Sequence, residues 1–179
     1  MIQVLVRPTV RGRVDPRTLR RRLARLLAAL GHADDTVCIV LTDDEELRSL
    51  NHQWRNKDKA TDVLSFPAAA PGFVQAPGQP RELGDVLVSL ETAARQAEEG
   101  ALPRLALAVG EARLADWTLL DEVSFVLLHG VLHLLGHDHI KAAERRTMEA
   151  LEHTHLGAML GRPVAKARSR ASRSGSPRS

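Results

Sequence analysis

One cysteine in 179 residues excludes a disulfide framework and a cysteine-based zinc site, and agrees with a reducing compartment. That residue, Cys38, lies in the strand-like run TVCIVLT and reads as a small buried core residue. Long apolar runs are also missing. No stretch approaches the roughly 20 residues needed to span a bilayer. Met1 leads directly into IQVLVRP, without the basic start, apolar stretch and small-residue cleavage site of a leader. A soluble, cytoplasmic protein with no membrane partner is expected. Internal repeats are absent as well. What is present, 44% hydrophobic residues in a chain of this length, is enough to build one core.

Charge is unevenly distributed. Residues 1–31 hold eight arginines and one acid, for +7, and residues 161–179 hold six basic residues and no acid, for +6. From a total of +3, the body 32–160 therefore carries −10. Basic ends around an acidic body allow contact with a polyanion, although arginine-rich helix faces and tails are more often simply solvated.

The apolar periodicity predicts an alternation of strands and helices. IQVLV (2–6), TVCIVLT (36–42), DVLSFP (62–67) and GDVLVSL (84–90) read as strands. DPRTLRRRLARLLAALG is a helix with Asp15 as N-cap, Pro16 at its first position, leucines on one face and Gly31 as its stop. Further helices are expected over 43–54, 91–100, 119–135 and 141–160. Residues 68–83, rich in proline, glycine and alanine, read as an exposed loop. The stretch 101–118 is ambiguous, and 161–179 has no apolar periodicity and is expected to be a disordered basic tail. The expected fold is α+β, a single domain over 1–160 with one four-stranded sheet covered by helices.

Residues 129–139, HGVLHLLGHDH, hold four of the chain's eight histidines in an otherwise core-like stretch. Residues four apart on a helix project from one face, so His129 and His133 can grip one ion from adjacent turns. Gly136 can adopt a left-handed conformation and turn the chain back, bringing His139 to close a triangle. Three neutral imidazoles suit a tetrahedral zinc with one position left for water, whose pKa the ion lowers. Burying each imidazole separately is expensive, whereas one cation satisfies all three. His137 reads as a wall or surface residue. Asp138 reads equally as an acceptor behind a ligand or as the cap of the next helix. Metzincin proteases share this spacing but place a glutamate base after the first histidine; here that position is Gly130.

Together with Glu144, Met148, LNHQWRNKDKATDVLSFP (50–67) and GDVLVS (84–89), this motif resembles the YbeY family of bacterial endoribonucleases over most of residues 40–155. The resemblance implies a mixed sheet with helices and a metal site at the end of a helix in the C-terminal half. It also implies a zinc-type ion on His129, His133 and His139, and single-stranded RNA as substrate, in ribosomal RNA maturation and ribosome quality control. It assigns a functional role in the cleft to Arg55, whose guanidinium suits phosphate oxygens; the alternative is a surface arginine paired with Asp58. Lys57 and Lys59 are candidate backbone contacts. The small ribosomal subunit or its assembly factors are the expected partners. Trp54 and His137 stand where the family commonly has tyrosine, and 102–120 is longer than the family's usual connection. A metallopeptidase-like hydrolase and a non-catalytic, zinc-stabilised ribosome assembly factor remain as alternatives; a fourth protein ligand would mark the latter.

Overall fold

The structure, a computed structural model, describes residues 1–68, 79–99 and 116–161. Four strands, β1 (Ile2–Val6), β2 (Thr36–Thr42), β3 (Val63–Pro67) and β4 (Glu82–Ser89), form one sheet. Its order is β1-β2-β4-β3. β1, β2 and β4 run parallel and β3 is antiparallel to β4, which makes the sheet mixed. Among the described residues five α-helices accompany it: α1 (Pro16–Ala29), α2 (Asp44–Arg55), α3 (Leu90–Glu99), α4 (Leu119–Leu134) and α5 (Ala142–Met159). The expected elements are all present with small shifts at their ends. Most of the expected 68–83 loop, residues 100–115 and the tail beyond Gly161 lie outside the described residues.

Successive side chains of a strand point to opposite faces, and both faces of this sheet are covered. Ile39 and Leu41 of β2 and Val86 and Val88 of β4 meet α1, α4 and α5 in the larger core. Val40, Leu64 and Leu87 meet Leu47 of α2 in the smaller one. This two-sided burial is why the β2 and β4 sequences read as near-continuous apolar runs.

The central element is α4, buried over most of its length from Asp121 to Leu132. Its start is tightly specified. The Thr118 side chain accepts from the Asp121 amide, and the Asp121 carboxylate accepts from the Thr118 amide, closing a capping box. Asp121 is fully buried, and Arg22 of α1 reaches it with Nη2 3.1 Å from Oδ1. Arg22 Nη1 also donates to the Leu120 carbonyl at 2.9 Å and the Ser124 hydroxyl at 2.8 Å. Arg22 is thus an exception within the basic N-terminal stretch, its charge spent on the helix that carries the histidines.

Removing one partner of a buried ion pair leaves the other charge uncompensated. Asp121→Ala is therefore expected to lower unfolding free energy by about 3 kcal/mol in a urea titration. A change smaller than about 0.5 kcal/mol, the usual range of surface substitutions, would show that this pair does not anchor α4.

Candidate metal centre

His129 and His133 stand one turn apart on α4, with their Nε2 atoms 3.2 Å apart and ring centroids 4.8 Å apart. The helix then stops. Gly136 takes φ +89°, its amide donates to the His133 carbonyl at 3.0 Å, and the His137 amide donates to the Leu132 carbonyl at 3.0 Å. This pair of bonds is a Schellman ending, in which a left-handed residue satisfies the last carbonyls and reverses the chain. The reversal brings His139 back, its ring centroid 5.3 Å from that of His129 and 5.0 Å from that of His133. One nitrogen from each of the three rings lies within 4.8 Å of the others.

This geometry fits a divalent metal ion. Two nitrogens bound tetrahedrally at about 2.0–2.1 Å to one zinc-like ion stand about 3.3 Å apart, which is close to the His129–His133 separation. His139, on the exposed segment after the break, is the ring left to close the triangle. Its main chain is braced by Asp138, whose Oδ1 accepts the His139 amide at 2.7 Å. Asp138 does not cap the following helix; α5 begins after Lys141 with Glu144 returning to it.

Glu152 of α5 supplies what the sequence reading missed. Its carboxylate is 2% exposed and its Oε1 lies 2.7 Å from His129 Nδ1. A carboxylate there accepts the hydrogen bond donated by Nδ1–H, so Nε2 presents its lone pair to the cleft. Burial first, and then the neighbouring His129 and His139 imidazoles, hold His133 below the ordinary histidine value. It is thereby kept in the neutral form that ligates metals. A signal for Glu152 was available: Met148, Glu152 and Leu156 share one helical spacing, and all three are buried. The acid sits in the middle of an apolar stripe.

The histidines open onto a cleft of about 860 Å³ whose other walls include Arg55, Lys57, Thr61 and Asp62, with Val63, Ser65 and Pro67 of β3. Arg55 is the last residue of α2, a helix on the far face of the sheet. Asn56 ends that helix at φ 55°, and the Asn51 side chain donates to the Lys59 carbonyl at 2.7 Å. These contacts turn the chain toward the cleft at the β3 edge. The sequence alternative for Arg55 is overturned: Asp58 is held by Arg48 instead, at 2.6 Å and 2.9 Å. Arg55 has no ion pair among the described residues. Lys57 lines the cleft and Lys59 does not, while His137 is a wall residue, as expected. Neither His153 nor His155 joins the cluster, which among the described residues contains His129, His133 and His139 alone.

Gly130 explains itself in space. A Cβ built there would lie 2.6 Å from Val86 Cγ1, 3.1 Å from Ser65 Oγ and 3.1 Å from Val63 Cγ2. The Ser65 hydroxyl donates to the Gly130 carbonyl at 3.0 Å. Where a metzincin carries its glutamate base, this chain packs helix against sheet and leaves no room for a side chain.

Fold and site together define a class: an α+β protein with three clustered imidazoles that could hold a metal ion, at a cleft also lined by Arg55 and Lys57. A family model described as Endoribonuclease YbeY matches residues 13–159, and the chain belongs to that family. It is 46% identical over 142 residues to an Endoribonuclease YbeY of Anaeromyxobacter sp., covering 79% of this chain and 64% of that protein. To the Endoribonuclease YbeY of Thermus thermophilus it is 43% identical over 150 residues, covering 79% of this chain and 95% of that one. The chain thus spans less than two thirds of the Anaeromyxobacter relative and nearly all of the Thermus one. A solution structure of a Thermotoga maritima protein shares the fold, with a TM-score of 0.56 at 23% identity over 90% of both chains.

The helix-to-sheet contact at Gly130 generates a direct test. Gly130→Ala is expected to destabilise the fold by about 1–3 kcal/mol, the usual cost of overpacking, read as a lower denaturation midpoint. A stability gain, as expected for alanine in an open helix position, would contradict the close packing.

Proposed function

We propose that this protein is a metal-dependent endoribonuclease that cuts single-stranded ribosomal RNA, with a zinc ion held by His129, His133 and His139 and phosphate charge met by Arg55. The observation that carries the reading is the convergence of three imidazole nitrogens at the floor of a cleft with a guanidinium on its wall. Membership of the YbeY family supports it.

When bound, the ion supplies Lewis acidity to a phosphodiester oxygen and to an attacking hydroxyl. The remaining work falls to the chain's own residues. Whether water or the RNA's 2′-hydroxyl attacks, negative charge builds on the phosphoryl oxygens in the transition state. Arg55 offers a planar pair of donors to those oxygens, and Lys57 adds a point charge for the adjoining backbone. Glu152 keeps the His129 proton on Nδ1, away from the cleft, and fixes the ring's orientation. A peptidase of the metzincin kind is disfavoured, because Gly130 leaves its base no space.

Action in ribosomal RNA maturation and quality control belongs to the same reading. So do a cytoplasmic location and recruitment to the small ribosomal subunit or its assembly factors. The basic ends, +7 over 1–31 and +6 over 161–179, supply charge for such contacts around the domain 1–160. Among the described residues no helix is long and apolar enough to cross a membrane.

The test is cleavage of a single-stranded ribosomal RNA fragment by purified full-length protein, with metal content measured on each sample. His133→Ala is expected to lose both ion and cleavage. Arg55→Ala is expected to keep the ion and cut about 10²–10³-fold more slowly, the size of losing one charge-stabilising donor. Glu152→Gln is expected to weaken metal affinity about 10–100-fold in chelator competition. Cleavage that persists in metal-free His133→Ala, or digestion of casein in place of RNA, would overturn the reading.

A further inference from the structure

On the other side of the α4 break lies a second cavity, of about 410 Å³, which the metal centre does not use. Leu30 at the end of α1, Leu83 of β4 and Leu134 of α4 give it apolar walls. Arg81 and three imidazoles, those of His32, His137 and His155, also face it, and no carboxylate is among the described residues that line it. His137 lines this cavity and the metal cleft alike. The two spaces are therefore neighbours, separated by the turn that ends α4.

Arg81 is ion-paired with Asp35, a residue that does not line the cavity and whose Oδ2 also lies 2.7 Å from His32 Nδ1. Asp35, 7% exposed, sits behind it and accepts the Arg81 amide at 2.9 Å and Nε at 3.2 Å. Nη2 lies 2.7 Å from His32 Nδ1. These contacts fix the guanidinium plane while leaving the side chain 47% exposed, and the Nη1 donors have no partner among the described residues. Little side-chain freedom remains to be lost when an anion docks.

A leucine-walled slot with a fixed guanidinium at its mouth matches a nucleotide, which carries a flat apolar-faced base and a phosphate on one unit. The shared wall at His137 favours a nucleotide belonging to a strand that already occupies the metal cleft over an unattached small anion. We propose that this cavity is a second nucleotide subsite, in which a unit of the same RNA strand places its phosphate at Arg81 and its base against Leu30, Leu83 and Leu134. The inference rests on RNA being the substrate of the neighbouring cleft. It adds that the strand is gripped on both sides of the α4 break.

The test is equilibrium binding of a fluorescent ten-nucleotide single-stranded RNA to the full-length protein, measured by anisotropy over a range of salt. Two variants reach the site differently: Arg81→Ala removes the phosphate donor, and Ala29→Phe fills the slot from an exposed helix position on its rim. Thermal melting of each establishes that it is folded. Arg81→Ala is expected to bind about tenfold more weakly. Its plot of log affinity against log salt should flatten by about 0.7, the contribution of one single-strand phosphate contact. Ala29→Phe is expected to weaken binding with the salt slope unchanged. Folded variants that bind as the wild type does would overturn the subsite while leaving the proposed nuclease intact. Arg81-dependent binding of a mononucleotide, with RNA affinity unaffected, would overturn it in favour of a small-ligand pocket. Failure of the wild type to bind RNA at all would remove both readings together.

Discussion

The structure depends most on the place where α4 stops. A helix rises about 1.5 Å per residue, so six further residues of helix would carry position 139 about 9 Å along the axis from His133. Two histidines four apart would then share one face with no third ligand in reach. Gly136 prevents this by adopting φ +89°. Nothing lies within 4 Å of the Cβ position it lacks, so the demand there is for a backbone angle, not for space. One left-handed residue thus converts a pair of imidazoles into a triangle.

A break of this kind is useful only if the helix leading to it is fixed, and α4 is held from several directions. Thr118, Asp121 and Arg22 lock its first turn. Trp117 Nε1 donates to Glu122 Oε2 at 2.7 Å. Burial nonetheless pushes the Glu122 carboxyl above its usual range. In the middle, Gly130 lets the helix touch β3 and β4, and Glu152 of α5 sets the tautomer of His129. The opposite face of the sheet contributes through the end of α2, where left-handed Asn56 delivers Arg55 and Lys57 around the β3 edge. The three histidines and the Arg55–Lys57 wall therefore come from opposite sides of one sheet and meet at its edge strand.

Much of this is legible in the sequence. Asp15, Pro16 and Gly31 punctuate α1 in the sequence, and the four strand-like runs already imply a sheet covered by helices, although not that both of its faces are covered. The spacing of His129, His133, Gly136 and His139 carries its own three-dimensional consequence, because helix periodicity and a glycine stop are local rules. Arg55 was marked by resemblance to a family, and its competing partner, Asp58, proved to belong to Arg48. What stayed hidden depends on contacts distant in the chain. The Arg22–Asp121 pair joins residues 99 positions apart, and within a basic helix one arginine looks like another. Glu152 stood out only as an acid in an apolar stripe, with nothing local to say that it faces His129. The steric reason for Gly130 needed the position of Val86, and the cavity at Arg81 needed four elements assembled around it.

The central claim is that three imidazoles at a helix end hold an ion with one position left for solvent. X-ray absorption at the zinc edge of the full-length, zinc-loaded protein tests it most directly, by counting donors and identifying them. Three imidazole nitrogens and one exchangeable light atom, all at about 2.0–2.1 Å, are the expected result. A sphere closed by four protein donors, or one without imidazole scattering, would contradict it.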